Sequence, residues 1–350
     1  MTATPISDIE PVGIEPYRLW DPSEVFDLEP PTWLMDYVIP ESGSVLLYGP
    51  TNVGKSLVAL DWAFRLAIGY KWLGLSVPKP QKVLYAYAEG GHDLQLRYQA
   101  WVEGNDVRDF HRLEQNIRFI GLDEEVGLRW DPDHTDNPPV GVQRLYAAAE
   151  EFHPDVVIFD PAQEVWRGLE NNSDRHVAMA WRVVKDLRRQ YKCAAVVVHH
   201  SRKDDVQFRG ATTWLDLADV GFSITETSAE GILDLTNTKS RYAEKGKKWK
   251  LERRVQALQR VPKLFGQDSV YIAGGSASDT ASKEADVFGL LSIENRSYSE
   301  LSQSLYGRKD ASAAARLLGK MMADGLILKE KGRNGKYMLT ANKANRPDVI

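Results

Sequence analysis

Gly49-Pro50-Thr51-Asn52-Val53-Gly54-Lys55-Ser56 is the stretch whose residue types and spacing most clearly support chemistry. It fits G-x-x-x-x-G-K-[ST], a loop that turns successive backbone N–H groups toward an anion. Gly49 and Gly54 permit the tight backbone. The Lys55 ammonium is expected to reach the β- and γ-phosphates of a nucleotide, and the Ser56 hydroxyl to ligate Mg2+. Leu57 then opens a helical pattern, whose N-terminus adds a partial positive charge to the cradle. The run from Gly49 through Leu57 is therefore expected to hold ATP.

A phosphate cradle with Mg2+ needs a carboxylate on the metal side. Val156-Val157-Ile158-Phe159-Asp160 sets Asp160 at the tip of an apolar strand, where it can hold the ion through water; a capping aspartate before Pro161 is the alternative. Hydrolysis also needs a group that orients the attacking water. Glu89 ends the run KVLYAYAE, with Gly90 and Gly91 leaving room beside it. A carboxylate at the C-terminal edge of a strand next to the cradle strand can polarise that water, the other reading being a solvated turn glutamate.

These side chains need elements to carry them. SVLLYG (44–49), KVLYAYAE (82–89), IRFIGL (117–122), DVVIFD (155–160) and CAAVVVHH (193–200) have the short, apolar, β-rich composition of buried strands. Helical patterns over 57–67, 140–151 and 176–191 lie between them. Such alternation predicts an α/β fold with a mostly parallel sheet covered on both faces. FSIT (222–225) and ILDLTNT (232–238) predict an antiparallel extension. Before this core, residues 1–30 are rich in Pro and acidic residues and read as an arm.

After the core the pattern changes. The small-residue run GGSASDTAS (274–282) marks a linker, taken as 263–283. Three short helical patterns at 285–293, 298–305 and 311–323 follow, then LILKEKG and KYMLT joined through Arg333-Asn334-Gly335, a hairpin signal. That order is the layout of a winged helix-turn-helix over 284–341, with a tail at 342–350. Its recognition helix, 311–323, would turn Leu317, Leu318 and Met321 inward and leave Arg316 and Lys320 outward. Arg308 and Lys309 before it, and Arg333, Asn334 and Lys336 at the wing tip, would meet duplex phosphates, although many such modules bind proteins instead.

The ordered set of strand–GPTNVGKS–helix, Glu89 at a strand end, VVIFD, VVVHHSRK and FRGATTWLDLAD resembles the RecA-type ATPase core. Within that class it is similar to the RepA-like hexameric replicative helicases of plasmids and phages, which are related to DnaB helicases. The resemblance spans about residues 31–250. It implies that Glu89 is the catalytic glutamate and that His200, beside His199, is the sensor of γ-phosphate state. It further implies that Lys203 and Arg209 lie in a pore loop that meets single-stranded DNA. Lys239-Ser240-Arg241 matches the family's K-x-R, in which the arginine reaches a neighbouring subunit's γ-phosphate with help from the lysine. Where DnaB proteins have an N-terminal domain, only the arm precedes this core, and the winged helix is an addition to it.

Composition sets the outer limits. Of 350 residues, 43% are hydrophobic and 27% charged, which excludes a wholly disordered chain. No apolar run is long enough to span a membrane, and no apolar segment marks a signal peptide. The single cysteine, Cys193, excludes an internal disulfide and fits the cytosol. Net charge is −5, but residues 281–350 carry +4 and the rest −9, a basic module on an acidic body. The expectation is an ATP-hydrolysing DNA motor in a homo-oligomeric, hexameric ring, with replicative helicase as its role. The alternatives are a recombination or annealing mediator and an ATP-switched DNA-binding initiator or regulator.

Overall fold

A computed structural model describes residues 18–88, 91, 93–107, 110–122, 125–129, 138–170, 173–201, 212–273, 287, 291, 297–306, 312–323, 327–331 and 337–341. The chain divides into two units, Met1–Thr32 and Trp33–Ile350. In the first, a short helix α1 (Pro22–Phe26) starts at Asp21, whose side chain accepts from the Ser23 and Glu24 amides while Glu24 caps back.

The second unit is built on strands β1 (Trp33–Met35), β2 (Ile39–Pro40), β3 (Ser44–Gly49), β4 (Val83–Tyr87), β5 (Ile117–Ile120), β6 (Val156–Asp160), β7 (Ala194–His200), β8 (Val220–Glu226), β9 (Ile232–Ser240), β10 (Lys248–Ala257) and β11 (Asp268–Ala273). Between them lie α2 (Lys55–Ile68), α3 (Leu94–Gly104), α4 (Phe110–Asn116), α5 (Val140–Phe152), α6 (Ala162–Val165), α7 (Asp174–Tyr191) and α8 (Thr212–Leu217). β3 through β11 form one sheet of nine strands, ordered β11-β10-β9-β8-β3-β7-β6-β4-β5. From β8 to β5 the neighbours run parallel, and β9, β10 and β11 add antiparallel strands at one side. The fold is thus α/β with a large, mostly parallel central sheet.

Both faces are dry. Val45, Leu47, Val83, Tyr85, Ile158, Val196 and Val198 pack on one side with α2 and α3. Their neighbours Leu46, Leu84, Val157, Phe159, Ala195 and Val197 pack on the other with α5 and α7. A parallel strand buried on both faces must be apolar at every position, which is why these strands read as continuous apolar runs. On the α2 side the buried Asp61 accepts from Arg65 Nε (2.8 Å), Trp72 Nε1 (2.9 Å) and Trp101 Nε1 (2.7 Å), tying α2 to α3.

Two expectations need correction. β4 is not next to the cradle strand: β7 and β6 lie between β4 and β3. Hydrophobic pattern identifies strands, but the order of parallel strands depends on crossovers that leave no local trace. The core also runs past residue 262, because β11 pairs with β10 from Glu252↔Ala273 to Ala257↔Asp268. Residues 268–273 therefore belong to the sheet rather than to a linker. The same sheet carries Lys248 and Lys250 on strand β10.

Towards the C-terminus, α9 (Tyr298–Tyr306) and α10 (Ser312–Ala323) are followed by an antiparallel pair, β12 (Ile327–Lys331) and β13 (Tyr337–Ala341). Val287, Leu291, Leu301, Leu318, Met321, Ile327 and Leu339 make a separate small core. Among the described residues no helix is long and apolar enough to cross a membrane.

Candidate functional site

The cradle sits where β3 ends and α2 begins. Asn52 and Gly54 adopt positive φ of 64° and 106°, the backbone reversal that aims consecutive amides at one point. α2 starts at Gly54 with no side-chain cap and no acidic residue in its first turn, so its leading N–H groups are kept for an external anion. Gly49 has its own constraint: an added Cβ would lie 2.4 Å from the Ile224 carbonyl of β8. The Lys55 ammonium, almost fully buried, donates to the Gly49 (3.1 Å) and Pro50 (2.7 Å) carbonyls of the loop it serves.

On the metal side, the Ser56 hydroxyl, in the first turn of α2, donates at 3.0 Å to Oδ1 of Asp160, the last residue of β6. Asp160 is buried, and its Oδ2 accepts from the Tyr85 hydroxyl at 2.7 Å. Burial, reinforced by the Asp160 charge, holds the Tyr85 phenol well above its usual range, so it remains a donor. A hydroxyl and a carboxylate within hydrogen-bond reach are a hard-oxygen set that fits Mg2+. No group of three or more acidic or His/Cys ligands occurs among the described residues. Bound by Ser56 and Asp160, Mg2+ would neutralise phosphate charge, and the hydrogen bonds from Tyr85 and Ser56 would orient the Asp160 carboxylate toward it. Tyr85 was not singled out in the sequence, because it lies in the middle of a continuous apolar run that marks it only as a strand residue.

β7 carries the two histidines. His200 pairs in register with Gly49, and the Ser201 amide donates to the Gly49 carbonyl at 2.9 Å. Burial and then the nearby Lys55 charge push His200 down to about 4, so its imidazole is neutral near pH 7. His199 points to the other face and packs on Trp214 at 4.9 Å between ring centroids. Trp214 stands on α8, directly after residues 202–211. Neither His199 ring nitrogen has a hydrogen-bond partner among the described residues, and burial pushes the group down to about 3.

The cleft around Lys55, Ser56, Leu57 and His200 measures about 410 Å³ and also takes in Asp93, Arg97, Arg253 and Asp268. Arg97 pairs with Asp93 at 2.6 Å, and Asp93 in turn accepts from the Tyr87 hydroxyl at 2.8 Å. The sequence reading passed over this i,i+4 pair at the start of α3, where spacing alone supports helix pairing rather than a site.

Lys239 and Arg241 lie elsewhere. Arg241 follows β9 and donates from Nη1 to Asp219 Oδ1 at 3.0 Å. Asp219 is bonded to Ser44, the first residue of β3, whereas the cradle follows its last residue, Gly49. Five strand steps of ~3.3 Å put the two ends roughly 16 Å apart. Lys239 Nζ donates to the Leu215 (2.9 Å) and Asp216 (2.7 Å) carbonyls at the end of α8. Its pKa is lowered, first by burial and then by the like charge of Arg241. The chain therefore brings Lys55, Ser56, Asp160 and His200 together and keeps Lys239 and Arg241 at the opposite, N-terminal end of β3 and β8.

In the small C-terminal core Leu318 and Met321 are buried and Arg316 is exposed. Glu89, Lys203, Arg209, Arg308, Lys309, Arg333, Asn334 and Lys336, and the side chains of Leu317 and Lys320, lie outside the described residues.

Comparison with known proteins bears on this geometry. No curated protein matches the chain. The fold is similar to the crystal structure of the RadB recombinase, with 15% identity, 61% of this chain and 88% of that one covered, and a TM-score of 0.43. A KaiC-like protein from the hyperthermophilic archaeon Pyrococcus horikoshii OT3 is similar at 14% identity, with 69% and 93% covered and a TM-score of 0.41. The AAA_25 family model, described as an AAA domain, matches residues 14–206, more than half of the chain. That span contains the cradle, the Ser56–Asp160 pair and both histidines, and the chain belongs to the AAA_25 family of P-loop ATPase domains.

Proposed function

We propose that this protein is an ATP-hydrolysing motor that acts on DNA as a ring of identical subunits, in the manner of RecA-type replicative helicases of phages and plasmids. In this reading Gly49 through Leu57 hold the triphosphate, Ser56 and Asp160 hold Mg2+, Glu89 orients the attacking water and His200 reads the γ-phosphate. Arg241, aided by Lys239, serves the site of the next subunit, while Lys203 and Arg209 face single-stranded DNA. The observation that carries the reading is the separation of Lys55 from Arg241 across the sheet. An arginine tethered roughly 16 Å from its own cradle by five strand steps is placed away from that cradle, which supports a role in a neighbour's site.

A second reading is favoured by the C-terminal elements. Their own core and a net charge of +4 over 281–350 support an ATP-switched DNA-binding regulator in which a winged helix supplies the contact. Mass measurement with and without ATP and single-stranded DNA, run beside ATP turnover, separates the two. The motor reading expects a closed ring and turnover stimulated by single-stranded DNA. A dimer whose turnover ignores single-stranded DNA would favour the regulator.

A further inference from the structure

Between α8 and β8 the carboxylate of Asp219 is almost completely buried, and Ser44, Arg188 and Arg241 converge on it at the N-terminal end of β3 and β8. Oδ2 accepts from the Ser44 amide (2.9 Å) and hydroxyl (2.8 Å) and lies 3.0 Å from Arg188 Nη2. Oδ1 takes Arg241 Nη1 at 3.0 Å, and the Arg241 amide donates to the Asp219 carbonyl, also at 3.0 Å. Arg241 is thus fixed to one residue by both main chain and side chain.

We propose that Asp219 is the positioning residue for Arg241, holding its guanidinium outward for a nucleotide bound to a second copy of the chain. The inference rests on the shared-site reading above. A guanidinium carries five N–H donors in a rigid fork, and the Arg241 side chain remains 55% exposed. The pair with Asp219 therefore fixes the head while more than half of the side chain stays exposed. Two guanidinium groups share one carboxylate, so the cluster keeps a net positive charge despite the ion pairs. That charge complements a phosphate brought by another subunit. Because the anchor is in place before the phosphate arrives, no reorientation is needed when transition-state charge develops. Arg188 also donates to the Ser42 carbonyl, which anchors the second guanidinium to the main chain and leaves Arg241 as the outward one.

The test uses the full chain. Asp219→Asn keeps an oxygen for Ser44 and removes the charge that holds Arg241. ATP affinity should stay as in wild type, while kcat falls about tenfold or more, the effect of one lost charge-assisted hydrogen bond. A 1:1 mixture with Lys55→Ala subunits should recover turnover, because the intact cradle of Asp219→Asn can face the intact, anchored arginine of its neighbour. Ser44→Ala, which leaves Asp219 paired with Arg241, should turn over normally. Wild-type turnover by Asp219→Asn, a slow Asp219→Asn that the mixture does not rescue, or an equally slow Ser44→Ala would each overturn the inference. If Asp219→Asn does not fold, Asp219→Glu keeps the charge but displaces the anchor by one methylene, and it is read in the same way. Arg241→Ala measured alongside separates the two claims. Full turnover there removes the shared-site reading itself, whereas a slow Arg241→Ala beside a normal Asp219→Asn removes only the role of Asp219.

Discussion

At the scale of single residues, the site depends on keeping some groups neutral and others charged. His199 and His200 are the clearest instance, pushed down to about 3 and about 4 chiefly by burial. An unfolded histidine titrates near ~6.5. Below that pH the unfolded chain takes up protons that the folded chain refuses. Stability is therefore full above about 6.5 and declines as pH falls, by up to about 1.4 kcal/mol per pH unit for each histidine, until the folded groups titrate. His199→Phe removes one of the two contributions and keeps a ring against Trp214. Denaturant unfolding between pH 6.5 and 4.5 should show a loss of stability smaller than that of wild type by up to this amount per pH unit. A wild-type slope in the variant would mean that His199 is protonated as readily folded as unfolded.

At the scale of elements, α2 has two duties: its N-terminus presents amides to phosphate, and its buried face must not tilt. The Asp61 carboxylate, fully buried beneath Arg65, Trp72 and Trp101, fixes that face. Removing one partner of a buried ion pair strands the other, at a cost of about 3–5 kcal/mol. Asp61→Ala should lower the unfolding free energy by that order, read from the denaturation midpoint at constant m-value. A loss below about 1 kcal/mol would show that Arg65 finds water or another partner, since that is the range of an ordinary surface change. The apolar runs that became β3, β4, β6 and β7 could be read in the sequence because strands buried on both faces show no alternation, and the cradle could be read because its glycines and lysine are consecutive. β10 could not, because a strand exposed along much of its length, carrying Lys248, Lys250, Arg253 and Arg254, has the composition of a loop. Tyr85 and Asp219 were illegible for a different reason. Their partners, Asp160 and Arg241, are 75 and 22 residues away, and only the fold brings them within hydrogen-bond distance.

At the scale of the whole molecule, phosphate-handling groups and positive charge are separated along the chain. The cradle, Asp160, His200 and Arg241 all precede β10, while residues 281–350 carry +4 against −9 on the rest. Deleting 281–350 should leave basal ATP turnover near wild type and weaken DNA binding. It should also flatten the dependence of binding on salt, because fewer cations then displace counterions from DNA. Binding titrations from low to physiological salt read both effects. A truncated chain that no longer hydrolyses ATP would show that the small C-terminal core is part of the ATPase.

The central claim, that one subunit's cradle works with another subunit's arginine, has a direct measurement. Arg241→Ala and Lys55→Ala subunits are each expected to be nearly inactive: the first binds ATP but lacks charge for its neighbour's transition state, and the second lacks the cradle cation. ATP turnover of a 1:1 mixture, with co-assembly verified by mass, then decides the matter. Recovered turnover in the mixture is the predicted result, because an intact cradle can face an intact arginine across a mixed interface. Co-assembled rings that stay as inactive as either parent, or an Arg241→Ala protein with full turnover by itself, would contradict the account.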